Sequence, residues 1–257
     1  MAVSCQKQIT IKVNSGTPLA SAYWTLQESG LATDRVDMVH SVHCVPNGLN
    51  VGLDATPGLF GNGLGFTETG ALCSIQSGPN DANLAITSAN GWSMCFWFKV
   101  LHWADNLPFN TGWSVPPTVS YDASFGAQNA SCVVQFDPLA VNGLTFTIQD
   151  NNLNNFAPAN YFPVLGAWTF LHVFFDPATT KVGYQINNGA KVLDPTPGAT
   201  FIASNGGSMN FFQTWAFANT ATMALIVDEV LLQLSRILTA AEVTYLFNGS
   251  AGRTWPL

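Results

Sequence analysis

The stretch from Met223 to Gly252, MALIVDEVLLQLSRILTAAEVTYLFNGSAG, constrains the fold more than any other. Its first part alternates: Ile226, Asp228, Val230, Leu232 and Leu234 fall on one face, and Val227, Glu229, Leu231 and Gln233 on the other. Both faces are largely apolar, which predicts a central strand. Asp228 is the exception, because a carboxylate on an apolar face has to be hydrogen-bonded, paired or metal-bound. A short helix follows. Thr239 is its N-cap, Glu242 completes a capping box, and Leu238 staples onto Val243. Val243, Leu246 and Phe247 share one face, and Asn248 and Gly249 stop the helix.

The rest of the chain reads as strands separated by turns. QITIKV (residues 8–13) predicts an edge strand within an N-terminal extension, 1–18, and Tyr23, Trp24 and Leu26 begin a second β segment. Residues 34–70, rich in Gly, Asn and Pro, read as loops and brief strands. In SMCFWFKV, Met94, Phe96, Phe98 and Val100 share one face while Cys95 and Trp97 share the other, so this too is a strand apolar on both sides. Further strands are expected at 131–136, 144–149, 168–175 (WTFLHVFF), 181–186, 190–193 and 211–217, with Asn187-Asn188-Gly189 as a hairpin turn. Residues 102–128 and 150–163 are long loops. Outside 239–249 the chain shows no ordinary helix, no fixed-period repeat and no bare linker. An antiparallel β-sandwich forming one domain over 1–257 is therefore expected.

Composition narrows the partners. Charged residues are only 9% of the 257 and hydrophobic ones 47%, so Asn, Ser, Thr and Gln have to supply much of the polar surface. The net charge is -7 and the eight Lys and Arg are scattered, which argues against nucleic acid and anionic membrane surfaces. No run approaches the length of a membrane span. MAVSCQKQITIKV lacks a hydrophobic signal core, so export by the usual route is not expected. Cys5, Cys44, Cys73, Cys95 and Cys132 are an odd, widely spaced set, which points to thiols in a reducing compartment while leaving room for one disulfide.

In order along the chain, YWTLQESG, GLGFTETGALCSI, WSMCFWFKV, WTFLHVFFD with VGYQINNG, and VDEVLLQLSRILTAAEVTYLFNGSAGRTWP resemble the laminin-G-like or concanavalin-A-like jelly rolls. The resemblance spans nearly the whole chain. It implies two facing antiparallel sheets, often with a rim calcium ion and sometimes a sugar groove. The closing YLFNGSAG resembles domains of phage structural proteins, which implies a virion-exposed module assembled in a host cytoplasm among partner subunits; an extracellular protein is the alternative.

On the resemblance, a rim calcium would take Glu28, Asp34 and Asp228; the competing reading has Asp228 accepting backbone amides and Glu28 simply exposed. Glycan stacking would use aromatic and amide residues of the long loops, namely Trp103, Trp113, Tyr121, Asn154, Asn160 and Tyr161. Most other aromatics, including Trp97, Trp168 and Phe170, are expected in the core. Related sandwich glucanases carry a Glu-x-Asp-x-x-Glu array on one strand. Here Asp228 and Glu229 are adjacent and no such array exists, so hydrolysis is not expected. His40 and His43 lack a third metal ligand, and His172 reads as a strand residue with a hydrogen-bond partner. The expected function is a non-catalytic module that presents its surface to a cell-surface glycan or packs against assembly subunits.

Overall fold

The computed structural model describes residues 20–28, 36–39, 42–43, 45–48, 53–66, 73–76, 82–84, 89–103, 118–122, 131–135, 137–138, 144–145, 148–150, 154–156, 160–201, 208–211 and 223–252. Met223–Gln233 and Trp92–Trp103 are the two long strands and pair antiparallel along most of their lengths. From them an eight-stranded sheet extends in the order Val192–Leu193, Lys181–Ile186, Thr169–Asp176, Trp92–Trp103, Met223–Gln233, Asn62–Phe66, Leu53–Pro57. Ala22–Trp24 also pairs with Met223–Gln233, beyond the stretch that pairs with Asn62–Phe66. A second sheet has the order Val45–Gly48, Cys73–Gln76, Ser208–Phe211, Thr118–Asp122, Ser131–Gln135. Every described pairing is antiparallel, and the architecture is an all-β sandwich with a short C-terminal helix.

Strand alternation divides the core in two. Met94, Phe96, Phe98 and Val100 join Leu171, Val173, Leu225, Val227, Val230 and Leu232 in the interior. Cys95, Trp97, Phe170 and Leu231 lie on the opposite face, where Leu238, Val243 and Leu246 cover them. The helix Ala240–Phe247 is therefore packed on the outside of the large sheet, with the Phe247 ring stacked at 5.9 Å on Trp97. Its N-terminus is the expected capping box, and Asn248 closes it at φ 45°.

Unbroken alternation through Met223–Gln233 is corrected by a β-bulge. Asp228 pairs with Trp97 and Leu231 with Cys95, so Glu229 and Val230 stand opposite Phe96 alone. Glu229 takes φ 53° to form it. Val230, Leu232 and Leu234 consequently share the interior with Leu225 and Val227, not with Ile226 and Asp228. Other expectations shift in detail. Leu26 lies outside its strand at φ 56°; of the strand expected at 211–217, Phe211 ends the strand Ser208–Phe211 and 212–217 lie outside the described residues. The strand expected at 144–149 is two short ones, Leu144–Thr145 and Ile148–Gln149. Lys181–Ile186 and Val192–Leu193 pair antiparallel with Gly183 opposite Leu193, which places Asn187-Asn188-Gly189 in the turn between them, closed by the Gly189 amide donating to Ile186 O at 2.9 Å; the partner strand is shorter than the expected 190–193. The 8–13 segment lies outside the described residues.

Candidate functional site

Asp228 sits where the central strand changes partners, from Asn62–Phe66 to Ala22–Trp24. Its Oδ2 accepts the Leu59 and Phe60 amides at 2.8 and 3.1 Å, and its Oδ1 accepts the Glu229 amide at 2.9 Å. Gly58 makes that approach feasible, because a Cβ there would stand 2.6 Å from Oδ2. Burial pushes the Asp228 carboxyl up to about 7 against the opposing pull of the three amides. Glu28 Oε1 accepts the Val36 amide at 3.1 Å, while Oε2 is buried with no hydrogen-bond partner. Asp34 lies outside the described residues. Three N–H groups engage the Asp228 carboxyl and the Val36 amide engages Glu28, the arrangement expected of Asp228 if it serves the backbone at a change of strand partners. Among the described residues no three His, Cys, Asp or Glu side chains are grouped to hold a metal.

A buried polar chain occupies the outer face beneath the helix segment. The Leu238 amide donates to Ser93 Oγ at 3.0 Å, and Ser93 Oγ lies 2.9 Å from His172 Nε2. His172 Nδ1 lies 3.4 Å from Gln185 Oε1, and Gln185 Nε2 donates to the Gly189 carbonyl at 2.7 Å. Because Gln185 offers only its oxygen, Nδ1 carries the imidazole proton and Nε2 accepts from the Ser93 hydroxyl. That is the polarity of a nucleophile–base pair, yet Ser93 and His172 are both fully buried. Burial lowers the His172 pKa to about 3 despite the Gln185 bond, so the imidazole is neutral. The arrangement joins strands to helix and offers no reactive hydroxyl to solvent.

Among the described residues a group of exposed apolar side chains lies elsewhere. Residues 162–167 form a turn in which the Ala167 amide donates to Val164 O at 3.1 Å and the Gly166 amide to Val100 O at 2.8 Å, with Gly166 at φ 75°. The turn lifts Phe162 to 55% exposure and Val164 to 72%, beside exposed Leu165 and Leu101. Lys99 Nζ rests 4.7 Å from the centre of the Trp168 ring at its base.

Of the glycan-contact residues expected from the sequence, Asn160 and Tyr161 lead into this rim. Asn160 is exposed and immediately precedes Tyr161, which is half-buried. The Tyr161 ring meets Phe98 edge-on at 6.5 Å and its hydroxyl is 3.4 Å from Thr169 Oγ1. Both belong to a short strand paired with Leu144–Thr145, not to a loop. Asn154 is exposed, but its Nδ2 donates to buried Asp150 at 3.1 Å. Trp103 ends the strand that carries Leu101, its backbone opposite Met223, whereas Tyr121 belongs to the other sheet, opposite Met209 and Cys132. Trp113 lies outside the described residues. Phe162, Val164, Leu165 and Leu101 were not expected as surface residues. For Phe162, Val164 and Leu165 the signal was an apolar run, YFPVLGAW, broken by Pro163 and Gly166 instead of alternating.

No family model matches this chain and no curated protein matches its sequence. Solved structures do match its fold. Domain 4 of AbnA, a GH43 extracellular arabinanase from Geobacillus stearothermophilus, in complex with arabinotriose, superposes with a TM-score of 0.58 at 14% identity. That match covers 91% of this chain and 98% of the domain. The binding domain of botulinum neurotoxin serotype G gives 0.57 at 13% identity, over 90% of this chain and 51% of that one. A botulinum neurotoxin type C structure, whose cell entry is described as dependent on two ganglioside molecules, gives 0.55 at 14%, over 91% and 52%. The chain spans about half the length of these toxin chains. At such identities the shared property is the fold, an antiparallel jelly-roll β-sandwich.

Proposed function

We propose that this protein is a non-catalytic glycan-binding module whose contact surface is the rim formed by residues 160–168 and the end of the Trp92–Trp103 strand. The observation that carries this reading is Phe162, an aromatic ring 55% exposed on a hydrogen-bonded turn two residues after exposed Asn160. A sugar ring offers an apolar face for stacking and hydroxyls for amide contacts, and this surface supplies both kinds of group. The fold supports the same reading, since one matching domain was solved with arabinotriose and another matching protein is described with gangliosides. Both point to an oligosaccharide. A glycan array, followed by titration calorimetry with arabino-oligosaccharides and a ganglioside headgroup glycan, tests it. Binding that Phe162→Ala weakens at least tenfold supports it, and absence of binding to every sugar removes it. No release of reducing ends from β-glucans is expected.

A second reading is favoured by Val164, Leu165 and Leu101, apolar side chains exposed together: the same rim packs against partner subunits of a virion or similar assembly. The low charged fraction and the YLFNGSAG ending support a virion-surface module assembled in a host cytoplasm, with an extracellular protein as the alternative. An oligomer in solution that Val164→Asp dissociates, without glycan binding, would favour packing over adhesion. Calcium is tested on the same preparation. A rise in Tm at millimolar calcium that Asp228→Ala abolishes would support a rim ion, and no shift would remove it.

A further inference from the structure

We propose that the Ser93–His172 pair is an acid-sensitive latch that holds the C-terminal helix on the outer face of the large sheet and releases it when the imidazole takes up a proton. The helix segment is held here by side-chain packing, by the Leu238 amide donating to Ser93 Oγ, and at the exposed edge by Thr244 Oγ1 donating to Asn188 Oδ1 at 3.1 Å. The direction of every bond in the chain is set by Gln185, whose Nε2 is committed to Gly189 O. A proton on Nε2 takes the acceptor away from the Ser93 hydroxyl, so Oγ has to accept from both Leu238 N and Nε2 while its own hydrogen turns away to seek another partner in a buried site. It also places a charge in a site that is fully buried.

Few groups offset that charge. Cys95 stands opposite His172 on the neighbouring strand, its thiol kept protonated by burial. Lys191, from the edge connection, opposes protonation. Glu242, from the helix, favours it, but its carboxylate is bound by Arg236 at 2.6 and 2.8 Å and by Thr239. Release of the helix hydrates the imidazole and uncovers Trp97, Phe170 and Leu231.

The sign follows from linkage. The closed form has its imidazole pKa lowered to about 3 from 6.5, so the latch is fully closed above pH 6.5 and weakens as pH falls toward 3. Amide hydrogen exchange on the whole chain, corrected for intrinsic rates, tests this between pH 7 and 4.5. Protection of the helix amides 243–247 should fall about tenfold per pH unit below pH 6, while amides of the Trp92–Trp103 strand keep theirs. In His172→Gln the helix should show no such fall, and in Glu242→Gln the fall should persist. Helix and strand losing protection together would overturn the proposal, as would an undiminished fall in His172→Gln. Should His172→Gln not fold, NMR titration of the wild-type imidazole decides: a folded-state midpoint near 6.5 overturns the latch, and one below 5 supports it.

Discussion

Glu229 holds a backbone conformation and a protonation state that both run against its residue type. Its φ of 53° is one that glycine adopts freely and a residue carrying a Cβ rarely does, and both carboxyl oxygens are buried without a hydrogen-bond partner. Burial pushes its pKa up to about 8 from 4.5. The folded state therefore favours the neutral acid: its contribution is complete below pH 4.5 and is lost as pH rises through 8. Glu229→Gln should match wild type within about 1 kcal/mol at pH 5 and exceed it by about 2 kcal/mol at pH 9, read from urea unfolding at both pH values. Asp228→Ala should cost about 2–4 kcal/mol, since it strips the acceptor from the Leu59, Phe60 and Glu229 amides. Asp228 was legible as a carboxylate in need of partners. The bulge beside it was not, because no glycine marks it and both strand faces are apolar. The trace it leaves is a one-residue offset between Leu225 and Val227 on one side and Val230 and Leu232 on the other.

Among the elements, the helix was the most legible, because its signals are local. Thr239 and Glu242 are three residues apart and bond each other in both directions. Thr239→Ala should cost about 1 kcal/mol, measured by urea unfolding. What holds the helix to the sheet was not legible. Ser93 is 79 positions from His172 and 145 from Leu238, and no local pattern records such a distance. Ser93→Ala leaves the Leu238 amide without its acceptor and should cost about 1–3 kcal/mol. The 162–167 turn falls between these cases. Pro163 and Gly166 announce a bend, but the exposure of Phe162 depends on the bond from Gly166 to Val100 in another strand.

For the molecule as a whole, two long strands with distinct apolar faces support a packed interior on one side and a helix-covered surface on the other. Trp97 is the centre of the helix-covered side, with Phe170 at 5.3 Å and Phe247 at 5.9 Å. Trp97→Ala should cost about 3–5 kcal/mol. The two-layer arrangement was readable from strand periods because alternation reports directly which face is buried. The contact surface was not, since aromatic content alone does not separate a buried ring from one raised on a turn. Tyr161 leans onto Phe98 while its neighbour Phe162 faces solvent. The direct test is to compare wild type and Phe162→Ala on a glycan array at matched Tm. Wild type is expected to bind oligosaccharide, and the variant to bind at least tenfold more weakly with Tm unchanged. Equal binding by both proteins, or binding by neither, would contradict it.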